Sequence, residues 1–464
     1  MTLDRVPVLG DAAVAVLESP SKGRYVVATS TYQPGDVVFQ DQAFVYASCN
    51  GEHLLETKVP TMANLLDDAL ETADEYHPSM HRLFASLLTA MRGFDTIGEV
   101  DRAKCILKCV TQFLRHPASL DGMMALSYVN EPACVDTAQQ LVHAFPAVFT
   151  QVSVPVLAKI IGVLNTNSHE LEGIGGTGLF LSACLMEHSC APNCSFTTDG
   201  HTLWVTAIRP IEVHDAMSID YGNLFYRPRH ERQQQLQQGY GFACVCRACT
   251  DLPDKTRAYL CRLHGCPGLV HPFPTQPFET YQCTTCGQAW SRAQVQAILH
   301  MERELEAHLP TTHRDILRIE SSTPFHRFHY LLFWALDSMG LKRAPGLDHD
   351  ENALGAMWSD LMSAIEYVAP DAIHEKVIYY DQLAQVQVLT GDIPGAVDAY
   401  GEAYRISCVV SGAQTPPTLA LYQLMHNPPR NRSDLIARWA RHASRIESTL
   451  IMALQVRSTR PRER

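Results

Sequence analysis

Three thiols stand within six residues in Cys244-Val-Cys246-Arg-Ala-Cys249, a density that points first to a metal. Zinc takes four soft ligands in a tetrahedron. So close a trio can fill three corners from one turn, with the fourth ligand drawn from elsewhere in the chain. A second set is self-contained: Cys261-x4-Cys266, then Cys283-Thr-Thr-Cys286-Gly287 after sixteen residues. Two short cysteine loops around a hairpin make a zinc ribbon, and four protein ligands leave no open position for chemistry, so this site reads as structural. His264 and His271 lie nearby as substitutes, but the four cysteines suffice.

The chain has 464 residues, 15 of them cysteine, and a formal charge of −12. No apolar run approaches the ~18 residues of a membrane span. The short N-terminal apolar run is interrupted by Asp11 and followed by no clear cleavage site, so an intracellular protein of cytoplasm or nucleus is expected. Clustered cysteines there bind metal rather than pair as disulfides. The acidic balance argues against a nucleic-acid partner and suits basic protein segments. Only Lys255, Arg257 and Arg262 are basic around the ribbon, which argues the same way.

The elements that must position these groups follow from periodicity. Residues 24–47 read as strands around a Pro34-Gly35-Asp36 turn. From Val59 to about Leu164 apolar residues recur at helical spacing, as in PVLAKIIGVL. Glycines at 173, 175, 176 and 178 predict a tight loop before Leu179. Asp199-Gly200 between β-formers predicts a hairpin from Cys194 to Ile208. Residues 230–238 read as a polar helix stopping at Gly239, and beyond about Ser291 the chain reads as helical. Within that region, residues 391–403 match half of a tetratricopeptide unit, with Ala396, Ala399 and Ala403 small and Tyr400 large. Local helical-hairpin packing or a groove for a peptide or chaperone-type partner would both use that pattern.

Three pieces together resemble the SET domain as arranged in the SET-and-MYND (SMYD) family of lysine methyltransferases. They are Glu187-His188-Ser189-Cys190-Ala-Pro-Asn193-Cys194-Ser195; Ile208-Arg209-Pro-Ile-Glu212 running to Ser218-Ile219-Asp220-Tyr221-Gly222; and Gly239-Tyr240-Gly241-Phe242-Ala-Cys244-x-Cys246-x2-Cys249. Lys22-Gly23-Arg24, Asn167-Ser168 and Gly178-Leu179 also match in order. The resemblance implies an α+β fold: a β-rich SET core with a helical insertion, a post-SET zinc site, a zinc ribbon and an α-helical, TPR-like C-terminal domain. The implied segments are 1–48 and 165–228 for the core, 49–164 for the insertion, 229–252 for the post-SET segment, 253–300 for the ribbon and 301–464 for the helical domain.

The resemblance further implies a protein-lysine N-methyltransferase that uses S-adenosyl-L-methionine and acts on a histone or non-histone lysine. It supplies Cys190 as the fourth zinc ligand beside Cys244, Cys246 and Cys249, with Cys194 as competitor. It assigns Tyr221 and Tyr240 to catalysis, as rings lining a lysine channel and hydroxyls orienting the amine or the methyl hydrogens. Lys22, Arg24, Asn167, Glu187, His188 and Phe242 become the cofactor-binding residues, Phe242 against the adenine. Four departures stand out. Glu187 replaces an Asn, Tyr25 stands where the first motif has its second Gly, and His214-Asp215-Ala216 replaces a Gly-Glu-Glu turn. Residues 49–100 hold one cysteine, Cys49, too few for the MYND finger. Glu187 and Tyr25 give weight to an alternative, a SET-fold scaffold without catalysis.

Overall fold

The computed structural model describes residues 14–19, 23–48, 86–171, 175–222, 224–275, 278–341 and 351–438. Lys22 and Cys49, with most of the segment lacking MYND cysteines, lie outside them. Small sheets build the N-terminal half. Strands β1 (Val14–Ser19) and β2 (Gly23–Ala28) form one antiparallel pair. β3 (Val37–Gln42) joins the hairpin of β8 (Cys194–Asp199) and β9 (Thr202–Ala207) in the order β3-β9-β8. β4 (Val45–Ser48), β5 (His169–Glu170) and β6 (Gly176–Leu179) make a third sheet, ordered β4-β6-β5. Residues 24–47 and the 194–208 hairpin are strands as expected. Asp199 still pairs with Thr202, however, so the two-residue turn is Gly200-His201.

The expected glycine loop is partly a strand. Gly176 and Gly178 sit inside β6, where a Cβ on Gly176 would come within 2.1 Å of the Ala47 carbonyl oxygen of β4. Glycine there serves strand-to-strand approach rather than turning.

The insertion contributes helices α1 (Val100–Arg115), α2 (Glu131–Ala144) and α3 (Val154–Asn167). Their apolar faces, including Ile106, Leu107, Leu141, Ile160, Ile161 and Leu164, are fully buried in one core, and each such aliphatic side chain contributes about 1.5–3 kcal/mol. The sheet core beside it gathers Val26, Phe39, Phe180, Val205, Met217 and Ile219.

His169 is held between Phe180 and Phe196, at ring-centroid distances of 5.7 and 5.0 Å. Burial pushes its pKa down to about 4, against a small opposing pull from a hydrogen bond with the Asn167 backbone. The unfolded imidazole titrates near 6.5, so unfolding takes up a proton between that pH and 4. Its stabilising share is complete above pH ~6.5 and is lost as pH falls, to the extent of about 3 kcal/mol. His169→Phe is expected to flatten the acid side of a urea-unfolding free energy profile. An unchanged acid slope would assign that slope to other groups.

The C-terminal half begins with α4 (Arg229–Tyr240), then the ribbon sheet β11 (Tyr259–Leu260), β12 (Leu269–Phe273) and β13 (Thr280–Cys283). Helices follow among the described residues, including α5 (Arg292–Ala307), α6 (His313–Ser322), α7 (Tyr330–Leu341), α8 (Glu351–Val368), α9 (His374–Leu389), α10 (Ile393–Val410) and α11 (Pro416–His426). Ser291 opens them with a reciprocal capping box to Gln294, the start that the sequence suggested. Ala396, Ala399, Tyr400 and Ala403 are buried in a core shared with α9 and α11, so their sizes serve helix packing. Among the described residues no helix is long and apolar enough to cross a membrane.

Candidate active site

Two short parallel strands bring the distant motifs together. β7 (Glu187–His188) lies beside β10 (Ser218–Ile219), pairing Ser218 with Glu187 and Ile219 with His188. Asn193 secures the crossing: its Oδ1 accepts the Ser218 N–H at 2.8 Å and its Nδ2 donates to the Ala216 carbonyl at 2.9 Å. Just beyond, the Asp220 carboxylate accepts the N–H groups of Gly222 (3.1 Å) and Leu224 (2.9 Å), a local turn that presents Tyr221. The 182–185 turn before β7 is held by buried Asp41, whose Oδ2 accepts from Ser182 at 2.7 Å and Ala183 at 3.0 Å. Nothing in the spacing of Asp41 signalled this role.

Tyr221 is oriented by three hydrogen bonds. Its N–H donates to His188 Nδ1 at 3.2 Å, its carbonyl accepts the Tyr240 hydroxyl at 2.5 Å, and its own hydroxyl donates to the Met186 carbonyl. The two tyrosine rings lie 5.0 Å apart between centroids, with Phe242 at 6.4 Å from Tyr221 and 6.0 Å from His188. Burial, then nearby Cys184, Tyr240 and Glu187, push the Tyr221 hydroxyl above its ordinary range, so it stays protonated at neutral pH. Both hydroxyl hydrogens are committed to main-chain carbonyls. The oxygens therefore remain as acceptors.

Helix α4 does the positioning. It runs one residue past Gly239, and Gly241, with its left-handed backbone (φ +76°), caps the C-terminus. Tyr240 is thereby the last helical residue, and Phe242 lies just past the cap. The glutamines of this polar helix serve as staples. Gln233 grips the Cys244 backbone at both its N–H (2.9 Å) and carbonyl (2.6 Å), and Gln235 donates to the Gly222 carbonyl at 2.7 Å.

The residues nominated for a cofactor are placed unevenly. Glu187 and His188 form β7 against the tyrosines, and Phe242 joins the ring cluster. Arg24 lies on β2 and donates to the Ala125 carbonyl at 2.6 Å. Asn167 ends α3, and its amide donates to the Ser127 and Val163 carbonyls at 2.9 and 3.0 Å, leaving Oδ1 as its remaining polar atom. Tyr25 stands opposite Leu17 in the β1–β2 pair. His214, at the former Gly position, is left-handed (φ +77°), a conformation that an ordinary L-residue adopts at a cost of about 1–2 kcal/mol. Cys184, adjacent to both tyrosines, was not singled out by the sequence. Burial, with Asp41 adding to it, raises its pKa to about 12, and its thiol donates to the Asn167 carbonyl at 3.5 Å.

The cysteines converge as two groups, Cys190 with Cys244, Cys246 and Cys249, and Cys261 with Cys266, Cys283 and Cys286. In each, all four sulfurs lie within 4.8 Å of one another. A tetrahedral zinc with Zn–S near 2.3 Å requires sulfurs about 3.8 Å apart. Cys190–Cys249 at 3.6 Å, Cys261–Cys286 at 3.7 Å and Cys266–Cys283 at 3.8 Å fit that ion. Cys194 is 1% exposed in the β-sheet core, so Cys190 takes the fourth place. His271 is also apart from the metal group, hydrogen-bonded to the Arg257 carbonyl (3.0 Å) and the Tyr367 hydroxyl (2.7 Å).

Beyond Tyr221 the chain is anchored in the helical half. Tyr226 stacks on Phe333 at 3.6 Å and donates to the Phe328 carbonyl at 2.9 Å, with a left-handed backbone at φ +57°. On the other side Ile208 packs with Ile406 and Val410, and Arg209 pairs with Asp371. The helical half thus grips both flanks of the 208–226 segment.

Comparison with known proteins agrees with this geometry. The SET domain model matches residues 23–222. The SET domain-containing protein SmydA-8, isoform A, of Drosophila melanogaster is 31% identical over 34% of this chain and 36% of its own length. Histone-lysine N-methyltransferase SMYD3 of Homo sapiens is 33% identical over 25% of each chain. N-lysine methyltransferase SMYD2-A of Danio rerio is 27% identical over 50% of this chain and 59% of its own. The chain spans from a quarter to about three-fifths of the length of these curated relatives. Residues 23–222 thus resemble a SET domain, and the chain is similar over part of its length to proteins of SMYD type.

Proposed function

We propose that the chain is a protein-lysine N-methyltransferase that uses S-adenosyl-L-methionine. The observation that carries this reading is the ring cluster of Tyr221, Tyr240 and Phe242 set against His188, with its polar hydrogens already committed to main-chain carbonyls. Bound S-adenosylmethionine supplies an electrophilic methyl group on a sulfonium. The side chains do the rest. A free lysine amine has a pKa near 10.4 and must lose its proton before attacking; a desolvating aromatic channel lowers that value. The tyrosine oxygens accept the amine hydrogens and so aim the nitrogen lone pair, and alignment supplies much of the acceleration. Glu187, His188 and Phe242 flank the cofactor position, with Arg24 and the Asn167 Oδ1 as outlying polar groups.

The acidic chain suits a basic segment around the target lysine, in a histone or another protein, and a compartment of cytoplasm or nucleus. A peptide or chaperone-type partner would be sought on the helical C-terminal half. Titration calorimetry of the zinc-loaded protein with S-adenosylmethionine, followed by labelled methylation of a lysine-peptide array, tests the reading. Binding with label transfer to lysine is expected. No measurable cofactor binding would sink the enzyme reading and leave the SET-fold scaffold, to which Glu187 would then be the first clue.

A further inference from the structure

The two tetracysteine groups sit in different surroundings. Four thiolates around a divalent zinc carry a formal charge of −2. At the post-SET group, Cys244 and Cys249 are only 6% and 5% exposed, so water cannot balance that charge. Donors converge instead. His188 Nε2 lies 3.3 Å from the Cys190 sulfur, and because its Nδ1 accepts the Tyr221 N–H, the ring is the neutral tautomer donating from Nε2. The Cys246 N–H points to the Cys244 sulfur at 3.5 Å. Positive charge comes from Arg232, buried on α4 one turn before Leu236, which packs against Cys244 and Cys249, and the guanidinium acts electrostatically on Cys190 and Cys249.

Arg232 is itself held. It is 8% exposed, donates to the Arg227 carbonyl at 2.5 Å, and faces the Asp254 carboxylate at 3.6 Å. Asp254 is 3% exposed and tied to the ribbon: its own N–H donates to the Pro272 carbonyl of β12 at 2.9 Å. Its carboxylate accepts the Arg229 N–H at 2.7 Å and the Thr256 hydroxyl at 2.8 Å. The same polar chain continues through Arg229–Glu279 (2.9 Å), Glu279–Arg257 (3.2 Å) and Arg257–Glu302 (2.6 Å) into α5. At the ribbon group the thiolates take backbone N–H groups, from Gly268 to Cys266 and Thr285 to Cys283, each at 3.4 Å, and Cys286 is exposed to water.

We propose that Arg232 is the charge-balancing residue of the post-SET metal site and that Asp254, fixed to the ribbon, positions it there. The ribbon then acts as a strut for the metal that closes the candidate active site, which makes Arg232 a positioning residue for that site. The proposal rests on reading the Cys190 group as a zinc site.

Zinc release from the full-length protein to a chromogenic chelator tests it, with elemental analysis of the starting material. Wild type should hold two zinc ions per chain, one for each tetracysteine group. Wild type lacking the post-SET ion would overturn the zinc reading and the proposal together, independently of any Arg232 variant. Arg232→Gln should speed release from the slower, post-SET site by about 10–100-fold and leave the ribbon phase unchanged. Arg232→Lys, which keeps the charge, should recover much of the loss, and Asp254→Asn should fall between. In cobalt-substituted protein, Arg232→Gln should shift the thiolate-to-cobalt absorption. Unchanged release in Arg232→Gln, or equal acceleration in the Gln and Lys variants, would overturn the charge-balancing role. If Arg232→Gln does not fold, the Lys and Asp254→Asn variants carry the same comparison.

Discussion

Tyr221→Phe is expected to lower methyl transfer about 100-fold while S-adenosylmethionine affinity changes by less than about threefold, a magnitude typical of removing one preorganised polar group. The substitution keeps the ring that packs 5.0 Å from Tyr240 and 5.4 Å from His188, so the channel wall survives. It removes one oxygen and the hydrogen bond to Met186. The Met186 carbonyl, left without its donor, can then take the lysine amine's hydrogen and draw the nitrogen out of line. The backbone bonds to His188 and Tyr240 do not involve the hydroxyl and remain. Single-turnover rates with labelled cofactor, beside a calorimetric titration, separate the two effects. Loss of cofactor affinity with retained turnover would contradict the role given to Tyr221.

Cys190→Ser is expected to remove one of two zinc ions and abolish transfer. Structural zinc in small domains contributes roughly 10–16 kcal/mol to folding at neutral pH, far more than any single packing contact around the site. The cluster joins β7 to the segment after α4. With one corner gone, residues 242–249 are left to weaker ties such as the Gln233–Cys244 bonds to α4. Phe242 would leave the ring cluster, and residues 241–252 should become a site of limited proteolysis, while the ribbon ion is retained. Cys194→Ser is the control: its thiol lies in the sheet core, so zinc content should be unchanged while stability falls modestly. Full zinc content and normal turnover in Cys190→Ser would refute the closure; loss of zinc in Cys194→Ser would move the fourth ligand.

Some of this site was readable from local pattern alone. The spacing of Cys244, Cys246 and Cys249, the pairs flanking the ribbon hairpin, the turn at Gly35 and the cap at Ser291 depend on residues within a few positions of each other, where turn chemistry and ligand reach act directly. Other features were misread for the same reason. Gly176 resembles a loop residue until β4 lies over it, and the stop expected for α4 at Gly239 falls at Gly241 instead.

What the sequence by itself determined is therefore the chemistry on offer: seven cysteines in two ligand sets, Cys190 with Cys194 as competitor for the eighth place, and Tyr221, Tyr240 and Phe242 in motif order. Tertiary structure decided which of them meet. Cys190 and Cys249 lie 59 residues apart, and only the parallel pairing of β7 with β10 and the docking of α4 place their sulfurs 3.6 Å from each other. Cys194, four residues further on, opens β8 and packs into the sheet core instead. Arg232, Asp254 and Tyr226 gain their roles in the same way, because a buried charge or ring finds its partner across space and carries no mark of that partner in its neighbours along the chain.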